Sequence, residues 1–450
     1  MPRVLSRPPD DTAADVSGLL SARSTGTVTP ELARRPQLAA SRSMDESHNT
    51  TSHRSRCLVC IPCLLSGGTE MQTLALVRVL AGEGYAVAVL CYHEWDDGVV
   101  AGFRGTGAVV RLLDWPRSVS AWTFVAMLRR VIRDAAPGLV HVQYMAPGAL
   151  PILAARLAGV PRILATVHQP WTPDAHGWRA KWFLRTAARL CDRFVCVSEA
   201  AERSWFGTSR VLDQNDPSTL ASHHSTIHNT VDTERIDAII SETDRTAVRH
   251  DLGLAPLDPV VGVVSRLREE KGIDVLVDAF ASVHGRVPQA RLLVVGDGPD
   301  RGALQLQAAK LGIGDSVIWA GARPWPEAIR LMSAMDVVAV PSRFEGFGLS
   351  AIEAMTCGKP VVASAVGGLP EIVENSETGL LVPPVDPQVL GQALLRLMED
   401  PGLRQRLGTN AAADARRRFG LPVFGRRVLA HYEAVGFGCA PGHGPGTQRQ

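Results

Sequence analysis

The 450-residue chain predicts an α/β protein built on two successive parallel sheets, each covered by helices on both faces. Three observations carry this. Short apolar, β-branched runs alternate with segments of helical period from Cys57 onward. The rhythm resets near 228–257, after the polar, irregular stretch Gly207–Ser225. Glycine turns follow strands in both series, at the carboxyl ends where such sheets gather ligands.

In the first series the strands expected are Cys57–Leu65, Ala86–Cys91, Ala108–Leu113, Leu139–Gln143, Arg162–Val167 and Arg193–Val197. A helix carrying Met71, Leu74 and Val77 follows Gly67-Gly68, and others are expected near 120–135, 147–158 and 177–190. The segment with Trp95, Asp96 and Asp97 reads as a longer loop. The second series offers strands at Val260–Val264, Arg291–Val295, Val317–Trp319, Val337–Val340 and Pro360–Ala363. Its helices are expected after Gly272 and near 386–399, 401–418 and 421–434. The domains read as a tail over 1–55, a first α/β domain over 56–240, a second over 241–420, a terminal helix over 421–435 and a loose tail over 436–450. The linker falls around 235–255. The first tail is rich in Ser, Thr, Pro, Arg and Ala without sustained period, as disordered segments are. Met44 near its end admits a gene-start artefact.

A hydrophobic content of 46% and a charged content of 20% describe an ordinary soluble protein with ample core. The formal charge of +2 gives no reason to expect a nucleic-acid partner. No apolar run approaches the roughly 20 residues of a membrane span, no signal-peptide core is evident, and a cytoplasmic location is expected. Of eight cysteines, three form Cys57-Leu-Val-Cys60-Ile-Pro-Cys63. Thiolates so spaced can share zinc or an iron–sulfur cluster, but on a strand, positions three apart point to opposite faces. No matching second pair of ligands occurs, so no metal is expected.

The most informative stretch runs from Pro341 through Ser342-Arg-Phe-Glu345-Gly-Phe-Gly348 to Met355, after the apolar run Val337–Val340. It reads as strand, glycine loop and helix, with bare amides and the positive dipole end forming an anion site. Glu345 and Glu353 flank that site, the second roughly 7–8 Å along the helix axis. Carboxylates so placed suit the hydroxyls of two rings with an anion between them, the shape of a nucleotide-sugar. The alternative is that Glu345 meets a helix N-terminus and Glu353 is a solvated helical glutamate.

Arg266…Lys271-Gly272, Gly296-Asp-Gly298-Pro299, Pro341-Ser342…Glu345-Gly-Phe-Gly…Glu353-Ala-Met and Gly367-Gly-Leu-Pro-Glu371 stand in one order. Together they resemble the retaining GT-B glycosyltransferases of the GT4 family, over roughly residues 57–435. The resemblance implies two Rossmann-like domains facing each other across a deep cleft and a nucleoside-diphosphate sugar bound between them. It implies Arg266 and Lys271 on the diphosphate and Glu345 on hexose hydroxyls. Glu353 corresponds to the ribose-binding glutamate, and the amides of Phe347, Gly348 and Leu349 would face the β-phosphate. Gly67-Gly68 resembles the loop that closes over the donor, although a simple turn is an alternative. His168 resembles the active-site histidine near the hexose, and Arg323 lies where the family often contacts the base.

The implied reaction moves a hexosyl or N-acetylhexosaminyl unit from a UDP-, GDP- or ADP-sugar to an acceptor hydroxyl with retention. In this family the leaving phosphate is held to accept the acceptor's proton. No cofactor is implied, and the chain has no Asp-x-Asp, as a metal-independent site requires none. Thr230 stands where the family often has glycine, so that turn must differ or bear strain. Glu371 reads as a helix cap and stays outside the chemistry. In Trp171–Leu190, Trp178, Trp182 and Phe183 alternate with Arg179, Lys181, Arg185 and Arg189. Such a helix can lie on an anionic membrane face and present a lipid-linked acceptor; it can equally be a helix flank with solvated arginines. Glycan and small-molecule acceptors stay open. Rival readings are a GT-B nucleotide-sugar epimerase, a non-catalytic nucleotide-sugar-binding partner, and an NAD-dependent oxidoreductase, which would call for a G-x-G-x-x-G that neither half opens with.

Overall fold

A computed structural model describes residues 56–144 and 149–438; the expected tail over 1–55 and the end of the chain from 439 lie outside the described residues. The first sheet contains β1 (Arg56–Ile61), β2 (Ala86–Cys91), β3 (Val109–Leu112), β4 (Leu139–Tyr144), β5 (Arg162–Val167), β6 (Arg193–Cys196) and β7 (His224–Thr226). Its order is β3-β2-β1-β4-β5-β6-β7, and every pairing is parallel. The second contains β8 (Val260–Val264), β9 (Arg291–Val295), β10 (Val317–Gly321), β11 (Val337–Val340), β12 (Val361–Ser364) and β13 (Gly379–Val382). Its order, β10-β9-β8-β11-β12-β13, repeats the doubly wound pattern. In each sheet the strand order reverses between the first and fourth strands in sequence, β1 and β4 or β8 and β11, and the carboxyl ends there are where ligands sit in such sheets.

Both sheets are largely apolar on both faces, which is why most of their strands read as continuous hydrophobic runs rather than alternations. Leu58 and Cys60 pack into one core layer, whereas Cys57, Val59 and Ile61 pack into the layer opposite. Cys57 and Cys60 therefore point apart. Cys63, beyond the strand, has its thiol on Glu70 Oε1 at 3.4 Å. Burial pushes both Cys57 and Cys60 up to about 12, and they serve as small apolar residues.

Several elements differ from expectation. β1 ends at Ile61, because the chain turns at Pro62 and only Leu64 returns to a single bridge with Trp95. The segment after Trp95 forms the helix Asp97–Arg104, capped by the Asp96 carboxylate on the Val99 amide at 3.0 Å. The strands β7 and β13 were not expected: β7 is the three polar residues His224–Thr226, and β13 is Gly-Leu-Leu-Val with a single β-branched residue. The helix Pro173–Ala188 breaks at Gly177, whose φ of 63° is the left-handed region. The terminal segment is not loose at its start: Phe437 is buried and stacks on Tyr85, with ring centroids 5.6 Å apart. Thr230 is not among the described residues with positive φ, so its turn differs from the glycine form. Its hydroxyl donates to Phe419 O at 2.7 Å and its amide to Gln72 Oε1 at 2.8 Å.

The last helix, Leu421–Glu433, returns to the first half and packs on the helix Gly68–Gly82. Tyr432, at its end, is buried with its hydroxyl 2.7 Å from His141 Nδ1. Among the described residues no helix is long and apolar enough to cross a membrane.

Candidate active site

The loops after β8 and β11 leave the switch point of the second sheet side by side, and they are locked together. Arg343 donates through both terminal nitrogens to Asp274, each at 2.6 Å, and also to Glu269 O at 3.0 Å. Its amide donates to Glu270 O at 2.9 Å. This bidentate bond holds the Asp274 carboxyl below the usual range. Gly272 makes the crossing possible: it sits at φ 63°, and a Cβ there would lie 2.1 Å from Pro341 O. The consequence is that Lys271 reaches Glu345, with Nζ 2.7 Å from Oε2. Ser342 Oγ donates to the same oxygen at 3.2 Å. A cation and an anion, both largely buried, are thus poised at the mouth of the cleft.

Beside them begins the helix Leu349–Thr356, with Gly348 as its N-cap and no capping side chain. The helix Gly68–Gly82 of the first half also starts without one. The two starts nearly touch: a Cβ on Gly68 would lie 3.2 Å from Leu349 Cδ1. The helices after Asp96, Ser120, Asp386 and Asp400 have first-turn amides occupied by those side chains, whereas the helices starting at Ile273, Arg301, Trp325 and Leu421 also lack a side-chain cap. Uncapped helix N-termini carry bare amides and the positive dipole end, the features that favour anions. Phe347 is buried, stacking on His228 at 5.4 Å between centroids, which fixes the loop carrying its amide.

The first half closes against this loop. Ser198 Oγ donates to Gly346 O at 2.8 Å. A Cβ on Gly346 would lie 2.3 Å from His168 O, so only glycine admits this approach. His168 itself is buried, with Nε2 2.9 Å from Gln143 Oε1. Burial pushes its pKa down to about 3, and the ring is neutral.

Glu353 lies four residues into its helix and accepts from Trp325 Nε1 at 2.7 Å. Burial raises its carboxyl to about 7, partly offset by that hydrogen bond. It lines a pocket between the halves with Met71, Gln72 and Arg78 on one wall and Trp325 and Leu349 on the other. Arg266 stands apart from Lys271: its side chain is 65% exposed and 4.0 Å from Glu270. Arg323 is exposed, with Nε on Ala320 O at 2.9 Å, and touches none of the other site residues through hydrogen bonds.

Glu371, set aside on sequence, caps a helix of the opposite half. Its two oxygens accept from the Glu199 and Ala200 amides, both at 2.8 Å, and one faces His228 Nε2 at 2.9 Å. Among the described residues, Glu199, His228 and Glu371 are the one group close enough to share a cation. Those amides already occupy the Glu371 carboxylate, and the contact reads as a clasp between halves. Arg343, Asp274, Trp325 and Gln143 are further contributors that sequence reasoning missed. Only the position of Arg343 between Ser342 and Glu345 hinted at a role.

Two doubly wound α/β halves, each with its own parallel sheet, define the GT-B class of glycosyltransferases. Residues 244–414 match the family described as Glycosyl transferases group 1, and residues 66–235 match Glycosyltransferase Family 4. A D-inositol 3-phosphate glycosyltransferase of Segniliparus rotundus is 36% identical over 405 residues, covering 82% of this chain and 85% of that protein. A GDP-mannose-dependent monoacylated alpha-(1-6)-phosphatidylinositol monomannoside mannosyltransferase of Corynebacterium glutamicum is 29% identical, covering 70% and 82%. The crystal structure of Anabaena HepE in complex with UDP-glucose shares the fold, with a TM-score of 0.68 at 23% identity over 83% of this chain and 98% of that one. The chain belongs to the GT4 family and is a glycosyltransferase.

Proposed function

We propose that the protein transfers a hexosyl or N-acetylhexosaminyl unit from a nucleoside-diphosphate sugar to an acceptor hydroxyl, with retention and without a metal ion. The observation that carries this is the pair of uncapped helix N-termini meeting at Gly68 and Leu349 beside the Lys271–Glu345 pair. The diphosphate lies against the amides of Phe347, Gly348 and Leu349, closed over by Gly67 and Gly68. Lys271 and the exposed Arg266 take the charge that grows on the leaving phosphate, which supplies the role a metal would otherwise fill. Binding frees Lys271 from Glu345, whose carboxylate then accepts from hexose hydroxyls. Glu353 accepts from the ribose, and Arg323 borders the base. The acceptor hydroxyl attacks from the face the phosphate leaves, and that phosphate takes its proton. His168, neutral, borders the hexose without adding a charge there.

The names of the relatives support an inositol phosphate or another phosphorylated polyol as acceptor. The helix Pro173–Ala188 supports a second feature, peripheral contact with the inner face of the cytoplasmic membrane. Trp178, Trp182 and Phe183 are 71%, 59% and 55% exposed there, among Lys181, Arg185 and Arg189. Incubation with UDP-, GDP- and ADP-sugars and phosphorylated polyols, read by mass spectrometry, tests the transfer. Release of nucleoside diphosphate with no glycoside, or interconversion of the donor sugar alone, would point instead to an epimerase. Flotation with anionic and neutral vesicles tests the membrane contact.

A further inference from the structure

Behind His168 the face of β4 and β5 that meets the last helix carries a row of polar side chains inside an apolar core. His141 and Gln143 lie on β4, and Thr166 on β5 with His168 just beyond its end; all four are buried. The row starts at Tyr432, whose hydroxyl is 2.7 Å from His141 Nδ1. His141 Nε2 is 2.8 Å from Thr166 Oγ1, and Gln143 Oε1 is 2.9 Å from His168 Nε2. Beside it, three buried atoms have no protein partner: Gln143 Nε2, His168 Nδ1 and His431 Nε2. All three residues line one cavity of about 30 Å³, shared with Thr166, Asn229 and Tyr432. Polar groups left bare in a core are costly, and this cavity, largely apolar but bordered by the residues carrying these three bare atoms, has room for roughly one or two waters.

We propose that Gln143 is a positioning residue that sets the tautomer of His168, and that ordered water in this cavity joins both to His431 of the last helix. The proposal rests on the reading that His168 faces the donor sugar. The chemistry fits in sign. Gln143 Oε1 can only accept, so the His168 proton sits on Nε2 and its Nδ1 presents a lone pair. The Gln143 amide nitrogen can only donate. A water between them accepts from the amide and donates to Nδ1, with its remaining bond to His431 Nε2. Burial keeps both His168 and His431 neutral, each lowered to about 3, so the arrangement does not alternate with protonation near neutral pH. The last helix thereby holds the orientation of a cleft residue through the core of the first half.

The test is nitrogen NMR of the full chain labelled at histidine nitrogens, with His168→Gln and His431→Gln assigning the signals. The expected wild-type result is a neutral His168 protonated at Nε2 between pH 6 and 8, with slowly exchanging water near His168 and His431. Gln143→Met should mix the tautomers and lower kcat about tenfold while the donor KM stays within about twofold. Gln143→Glu, which keeps an acceptor, should restore the tautomer. His431→Phe, which fills the cavity, should shift the His168 Nδ1 signal, and His431→Gln should shift it less. A wild-type His168 protonated at Nδ1, or a tautomer unmoved by Gln143→Met, overturns the role of Gln143. Absence of the slow water overturns the link to His431. Full turnover in His168→Gln would refute the functional reading of His168 while leaving the tautomer result standing.

Discussion

Replacing Glu353 by Gln should stabilise the ligand-free protein, and by an amount that grows with pH. The carboxyl is raised from 4.5 to about 7 by burial. Well below pH 4.5 both folded and unfolded chains keep the proton, and the residue costs nothing. Between 4.5 and 7 the unfolded chain ionises while the folded one does not, so stability falls as pH rises. Above 7 the cost levels off, at an upper bound of about 3 kcal/mol. At pH 5 the same linkage costs only about 1 kcal/mol. Gln keeps an oxygen for Trp325 Nε1 and has no proton to lose. Differential scanning fluorimetry of wild type and Glu353→Gln at pH 5 and pH 8 should therefore show a gap in Tm that widens by a few degrees at the higher pH. Affinity of the wild type for bare nucleoside diphosphate should also rise through pH 7, as the carboxylate becomes available to the ribose. An equal gap at both pH values, or a less stable Gln variant at pH 8, would refute the reasoning.

Lys271→Ala and Arg266→Ala should each lower turnover by roughly 10²–10³-fold, the scale of losing one charge-stabilising donor, in steady-state kinetics with excess EDTA throughout. Glu345→Ala should lower turnover yet leave bare nucleoside diphosphate bound at least as tightly by calorimetry, because Lys271 loses the partner that competes with phosphate; weaker binding would contradict that assignment. Glu371→Ala should leave the Glu199 and Ala200 amides without their partner while Ser198 still caps the helix, cost about 1 kcal/mol, and loosen the clasp between the halves. Small-angle scattering should show an increased radius of gyration in the absence of donor, reversed by nucleoside-diphosphate sugar.

The strands of both sheets were legible because burial on two faces writes itself as unbroken β-branched runs; Val260–Val264, Arg291–Val295 and Val337–Val340 match to the residue. The helix Asp97–Arg104 was not, since its eight residues include two glycines and bury only Val100 and Phe103. Lys271 and Glu345 could be named from their motifs, but not their direct bond, which depends on two loops crossing at Gly272. Neither Arg343–Asp274 nor Trp325–Glu353 could be read, because 69 and 28 residues separate the partners and neither pair has a local pattern. Glu371 read as a local cap; the helix it caps lies more than 170 residues away in the other half.

The most direct measurement combines turnover and stereochemistry: proton NMR of the product formed from a nucleoside-diphosphate sugar and a phosphorylated polyol in excess EDTA. The expected spectrum shows a glycoside with the anomeric configuration of the donor, formed one-to-one with nucleoside diphosphate, and lost together with it in Lys271→Ala. An inverted anomer, or turnover that returns only when a divalent metal is added, would contradict a metal-free retaining transfer at this site.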